Sequence, residues 1–381
     1  MPLQYSAAKT SSVSKSHSPS KSPIKKFQRD AKKLLPSQSV YKNNLRKSNP
    51  SSPSQSSPSK VDNEKLQIQD YNVQLDYQLS SQDDVVVAVD TILSNRWSES
   101  TELHDRYKTR ALVGTEKEKV YQIKGLASNS KAELLKYRHT LPPGLITVTQ
   151  LYAIFHNQGP TFVDKSLELN IRRGILRKFV ISNASPVISR SLNNFQSKKV
   201  TYGFEDIEVI AKVDCFHALI EKILAGSDEV SASKLSLSKF YDYIKRNPTG
   251  MFISTSKFSD EEVSNLVQLG FVTLTSNHFN EIERNYSISY PGCGTYLKLV
   301  NEGRTWLVKT LNKIKYKEAL EDDIFKKWSG INLEGDPKLN NFRKPFFGYD
   351  LHWVLADALG SGIIEVFNTP VGRGWRLTGK V

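Results

Sequence analysis

The chain has little of what builds metal-bound or membrane frameworks. Among 381 residues it holds two cysteines, Cys215 and Cys293, far apart, with no CxxC and no clustered Cys/His spacing. That excludes a zinc ribbon or finger and reads as two ordinary core thiols in a reducing compartment. The seven histidines are scattered, none at metal spacing from another His, Cys or paired carboxylate, so no metal and no cofactor is expected. His156 and His352 read as packed, hydrogen-bonded residues, and Asp322 and Asp323, following Glu321, as the solvated face of a helix end. No apolar run nears the ~20 residues that span a bilayer; the longest covers only residues 85–89. The N-terminus lacks the apolar core of a secretory signal. A soluble intracellular protein with no membrane and no small-molecule substrate is expected.

Charge of one sign is abundant instead. Lys and Arg number 53 against 39 Asp and Glu, a net charge of +14, which favours polyanionic partners, nucleic acid first. Most of the surplus lies in residues 1–62, where twelve Lys and Arg face only Asp30 and Asp62 among Ser, Pro and Asn. Such a stretch cannot bury enough apolar surface to offset ordering entropy, so residues 1–79 are expected to be a disordered tail. Within it, Lys25, Lys26, Arg29, Lys32 and Lys33 form a compact basic cluster suited to nuclear import or to phosphate contact; a merely solubilising tail is the alternative. Ser18, Ser22 and Ser57 each begin a Ser-Pro-x-Lys unit, the pattern of proline-directed phosphorylation, and each phosphate would remove about 1.5–2 positive charges.

Downstream, one grammar recurs three times: an amphipathic helix, a glycine that stops it, and a β-branched or aromatic strand. The first helix is expected to be capped by Thr161 and to run through Val163, Leu167 and Ile171 to Gly174. The second opens with a Ser259/Glu262 capping box and runs through Val263 and Leu266 to Gly270. The third carries Leu351, Val354, Leu355 and Leu359 and stops at Gly360 and Gly362. Glycines 174, 270 and 362 recur at intervals of 96 and 92, which argues for a tandem array. Each strand has a later partner, at 207–211, 286–290 and 375–378, and further helices precede each unit, among them one long helix over 295–328. Helices ending in a two-stranded hairpin describe a winged helix. The expected fold is therefore mainly α with small β-hairpins (α+β): winged helix 1 over 80–212 with an insertion of low order at about 98–140, winged helix 2 over 213–292, and winged helix 3 over 293–381.

Several local motifs carry a more specific likeness. Leu141-Pro142-Pro143 leads into Gln150-Leu151-Tyr152; Val163-Asp164 precedes the Arg173-Gly174 turn; Asp260-Glu261-Glu262-Val263 precedes Gly270. Pro291-Gly292-Cys293-Gly294 and Gly303-Arg304, leading into Lys315-Tyr316, complete the set. Over residues 80–381 the chain resembles the serine/threonine-protein kinase 19 family, in the manner of a fungal member with a longer tail. The resemblance implies tandem winged helices that bind DNA in the nucleus and act in transcription-coupled nucleotide excision repair or on chromatin, with transcription and repair proteins as partners. The insertion and the Ser-rich tail depart from animal members, so partner contacts made there do not carry over.

The kinase in that name finds no support in the residues. Phosphoryl transfer to protein needs a glycine-rich cover, a strand lysine, an aspartate base and metal-binding carboxylates at set separations. Pro291-Gly292-Cys293-Gly294 lacks the third glycine, His104-Asp105-Arg106 has the wrong order, and Gly203-Phe204-Glu205-Asp206 is no metal-binding triplet. No catalytic residue is expected.

Binding residues are easier to nominate. On the long helix, Lys309, Lys313 and Lys317 fall opposite Leu307, Leu311 and Ile314, and Lys298, Arg304 and Lys315 add charge nearby. Arg373 stands between Gly372 and Gly374 in the third hairpin. A second basic patch gathers Lys165, Arg172, Arg173, Arg177 and Lys178 around the first helix-to-strand turn, with Arg190, Lys198 and Lys199 further along. The second unit's acidic helix start, Asp260 to Glu262, would repel DNA and suits architecture or protein contacts. Such patches give affinity for double-stranded DNA, or RNA, without reading bases. A protein-interaction scaffold is the competing expectation.

Overall fold

Three times along the chain, helices feed a short strand and then a hairpin that returns to it. The computed structural model describes residues 77–80, 84–104, 106, 114–190, 200–226, 232–253, 256–275, 285–331 and 338–380, with backbone alone at 182–190, 200–205, 275 and 285. The tail's basic cluster (Lys25, Lys26, Arg29, Lys32, Lys33), the serines Ser18, Ser22 and Ser57, and the hairpin lysines Lys198 and Lys199 lie outside the described residues.

The first repeat comprises α1 (Val85–Ser94), α2 (Glu116–Gln122), α3 (Ser128–His139), β1 (Leu145–Thr147), α4 (Val148–Ile154), α5 (Pro160–Arg172), β2 (Leu176–Arg190) and β3 (Val200–Lys212). The second comprises α6 (Val213–Ala225), α7 (Ala232–Arg246), β4 (Phe252–Ile253), α8 (Asp260–Leu269), β5 (Val272–Thr275) and β6 (Asn285–Ile288). The third comprises α9 (Cys293–Asn312), β7 (Glu318–Leu320), α10 (Glu321–Ser329), α11 (Leu351–Gly360), β8 (Ile364–Thr369) and β9 (Gly372–Leu377). In each repeat the last strand lies in the middle of an antiparallel three-stranded sheet, with orders β1-β3-β2, β4-β6-β5 and β7-β9-β8. The fold class is thus α+β.

Local chemistry accounts for the boundaries. Gly174, Gly270 and Gly362 hold left-handed φ values of +72°, +81° and +72°, conformations that an L side chain resists and that let each helix turn into its strand. The Ser259/Glu262 capping box forms as expected. At α5 the cap differs from expectation: Gly159 is the N-cap and Pro160 fills the first helical position, because proline's missing N–H costs nothing there.

Two expectations are corrected. The helix expected over 295–328 is interrupted: after α9 the N–H of Ile314 donates to Leu311 O and that of Lys317 to Ile314 O, both at 3.0 Å. Lys317 then adopts a left-handed φ of +57°, and the chain enters β7, which pairs with β9. The insertion at 98–140, expected to be of low order, holds the capped helix α2 and helix α3. It is tied down by Arg138, which donates to both carboxylate oxygens of buried Glu99 and to Phe347 O at 3.1 Å, while its guanidinium lies 3.9 Å from the Trp97 ring centroid.

The repeats do not keep separate cores. One apolar cluster joins Val89, Leu151, Val163 and Ile171 of the first repeat to Leu307, Trp328, Trp353, Leu355 and Trp375 of the third. A second joins Leu145, Phe179 and Val209 of the first to Phe216, Phe240, Leu266 and Phe271 of the second. Helix α9 contributes to both, through Leu299, Leu307 and Leu311 to one and Tyr296, Leu297 and Val300 to the other. Two glycines permit the closest approaches. A methyl on Gly360 would overlap the Thr149 carbonyl, and one on Gly303 would press on the Val354 side chain at 2.9 Å, so α11 lies tight against α4 and α9. Among the described residues no helix is long and apolar enough to cross a membrane.

Candidate nucleic-acid interface

Helix α9 sorts its residues cleanly by face. Leu297, Val300, Leu307 and Leu311 are buried, while Lys298, Thr305 and Lys309 are exposed and continue at helical spacing to exposed Lys313, the C-cap. Lysines at 298, 309 and 313 therefore share one stripe, about 22 Å long at ~1.5 Å per residue. Lys298, Asn301, Thr305 and Lys309 also line a groove of about 530 Å³ whose far wall is Ile181 of β2, so the base of the first hairpin stands beside the stripe. Glu302 is the one carboxylate lining that groove among the described residues.

The remaining candidates fall in different places. Lys315 and Lys317 are exposed in the turn that follows α9, not on its helical face. Arg304, expected to contact phosphate, is 7% exposed and its Nε pairs with Asp357, itself buried in α11. Asp357 also accepts from Thr147 Oγ1 at 2.9 Å and from Thr149. Withdrawing Arg304 to meet a ligand would strand a buried carboxylate, so its role is to hold α9, α11 and α4 together. Arg373 is also largely covered, its side chain 12% exposed and 3.9 Å from Glu321.

In the first repeat, Arg172 and Arg173 are exposed at the end of α5. Lys178, half-buried, pairs with Glu208 at 3.0 Å, and Arg172 with Glu168 at 2.8 Å; the second pair is exposed and of a kind weak enough to open for a phosphate. Arg177 is lost to the interior: it is 4% exposed, donates to Gly250 O at 2.7 Å, and burial lowers its pKa to about 10. The helix that precedes the hairpin differs between repeats. That of the first, α5, exposes Asp164, Lys165, Glu168 and Arg172. That of the second, α8, exposes Asp260 and Glu261. That of the third, α11, buries every residue from Trp353 to Leu359. At about 1.5–3 kcal/mol for each large apolar side chain, no groove contact would compensate for drawing α11 out.

The fold also assembles a cluster that sequence spacing did not reveal. Asp350, 1% exposed, accepts from His104 Nε2 at 2.9 Å and His352 Nδ1 at 3.1 Å, and caps α11 through the His352 backbone N–H. His104 and Asp350 are 246 residues apart. The imidazoles are stacked, centroids 4.8 Å apart and planes within 15°. One ion could not lie in both ring planes at once, so the arrangement is that of two ring N–H groups sharing one carboxylate. Burial opposes the charge on Asp350, but the hydrogen bonds from His104 and His352 outweigh it and hold the carboxyl well below the usual range. Burial likewise opposes charge on His352, and Asp350 outweighs it and pushes the imidazole up.

Comparison with known proteins adds two findings. Serine/threonine-protein kinase mug51 of Schizosaccharomyces pombe is similar, 28% identical over 239 residues that cover 62% of this chain and 68% of that protein. Residues 117–377, which take in α9, the groove, Asp350 and His352 but not His104, match the profile of the family described as inactive serine-threonine protein kinase 19. The match spans well over half of the chain, which therefore belongs to the inactive serine-threonine protein kinase 19 family.

Proposed function

We propose that the chain is a nuclear DNA-binding protein of three tandem winged helices, without catalysis of its own, acting with transcription and repair proteins in transcription-coupled nucleotide excision repair or related repair on chromatin. The observation that carries the DNA reading is the exposed stripe Lys298, Lys309 and Lys313 on a helix fixed by two cores, beside the base of the first hairpin. The repair role rests on the family resemblance, and the family's description as inactive supports the absence of phosphoryl transfer. Ammonium groups on a rigid helix neutralise backbone phosphates and position a duplex without reading its sequence; duplex RNA offers the same phosphates.

Replacing Lys298, Lys309 and Lys313 together by glutamine in the full chain tests this. The log-log salt slope of binding to duplex DNA should fall by about two to three, at ~0.9 per phosphate contact, and equally for unrelated sequences. An unchanged slope and affinity would sink the assignment of the interface.

Of the other two hairpin-preceding helices, only α8 is open to a scaffold role. The acidic start of α8 repels phosphate, and α11 is buried within the protein. The second repeat accordingly serves protein contacts.

A further inference from the structure

Just past the lysine stripe of α9 the chain presents an aromatic ring. Residues 309–317 read Lys-Thr-Leu-Asn-Lys-Ile-Lys-Tyr-Lys, four cations and no carboxylate. In the turn that follows α9, three residues past Lys313, stands Tyr316, which is 68% exposed. The Lys315 ammonium lies over its ring, 5.2 Å from the centroid.

The ring is held out by a fixed turn. Ile314 is partly buried against the core, the Ile314 and Lys317 N–H groups close successive turns, and Leu377 N donates to Lys317 O at 3.1 Å, fastening the turn to the end of β9. The backbone that carries the tyrosine is thus set before any ligand arrives, and only the two torsions of its side chain are left to order on stacking.

We infer that Tyr316 is a stacking site for an unpaired nucleobase at the edge of a duplex whose backbone lies along the α9 lysines. The inference rests on the DNA-binding reading above. The argument is one of complementary chemistry. Aromatic rings interleaved with cations bind single strands because every base has a π-face. In continuous duplex those faces are covered by neighbouring pairs, so a ring at the end of a phosphate-binding track finds a partner only where the stack is interrupted. The nucleic acid that satisfies both features is a junction, with paired backbone along Lys298 to Lys313 and the first unpaired base on Tyr316.

The test uses the full chain and two DNA probes of equal length, a blunt duplex and a duplex with a single-stranded extension carrying 2-aminopurine at the first unpaired position. The wild-type chain should prefer the extended probe and change the 2-aminopurine emission on binding. Tyr316→Ala should weaken binding to the extended probe on the order of tenfold or more, abolish the emission change and leave blunt-duplex affinity unaltered. Tyr316→Trp should retain both signals. Tight blunt-duplex binding with no preference for the extension, or an emission change that survives Tyr316→Ala, would overturn the stacking site while leaving the duplex reading intact. No binding to either probe would overturn both.

Discussion

Replacing Asp357 by asparagine removes one charge from the centre of the molecule with little change of shape. In the wild-type protein Arg304 and Asp357 are 7% and 1% exposed, and the hydroxyls of Thr147 and Thr149 close the remaining valences of the carboxylate. Asparagine's carbonyl can still accept from both threonines, so the loss reports chiefly the guanidinium left buried without a counter-charge. Breaking such a pair from one side costs about 3–5 kcal/mol. At roughly 2–4 °C per kcal/mol for a unit of a few hundred residues, the melting temperature should fall by about 6–20 °C. Calorimetry and far-ultraviolet circular dichroism would measure it. The double replacement Arg304→Met with Asp357→Leu should recover much of the loss, because both charges then leave together. A fall of less than about 2 °C in the single variant would refute the view that this pair clamps α4, α9 and α11.

Three further outcomes are expected. The His104/Asp350/His352 cluster should make stability depend on pH in two windows: the depressed Asp350 contributes above its ordinary value near ~3.9 and loses this as pH falls through its folded value; the raised His352 contributes fully below ~6.5 and loses this as pH rises through its folded value. Urea midpoints across pH 4 to 10 should therefore show an alkaline decline that His352→Phe removes. Gly360→Ala should be destabilising despite alanine's better helix propensity, since the methyl meets the Thr149 carbonyl; a midpoint equal to wild type would count against that packing. Purified protein with ATP, magnesium and generic protein substrates should transfer no phosphate, and activity that co-purifies and vanishes on changing one carboxylate of this chain would contradict that.

The parts of this fold that announce themselves are those set by local chemistry. The Ser259/Glu262 box, the glycines at 174, 270 and 362, and the strands that follow them stand out because caps and left-handed turns need particular residues. The two-residue strand β4 has no such signature; its pairing is decided by β6 across the sheet. The end of α9 was hidden for a related reason. Neither glycine nor proline marks the reversal at Lys317, and Leu311, Ile314 and Ile324 continue an apolar pattern through it. Arg304 was misplaced because a basic residue on an amphipathic helix is ordinarily given to solvent, and only the arrival of Asp357 from α11 turns that face inward. The same long separation concealed the imidazole pair around Asp350. The lysine stripe was legible in kind but displaced, running back from Lys313 towards Lys298 instead of forward to Lys317.

The apolar cluster that joins the first repeat to the third reaches from Tyr77 to Leu377. On a ribosome, the early helices α1, α4 and α5 are finished while the segments that cover them are still unwritten. Some 200 residues must be added after α5, which at about 5–20 residues per second takes roughly 10–40 s. Throughout that interval Leu151, Val163 and Ile171 have no lid, so the nascent chain presents an oily face to chaperones. A stop codon anywhere before α11 would leave that face open for good, and truncated products should be insoluble or degraded rather than partly active.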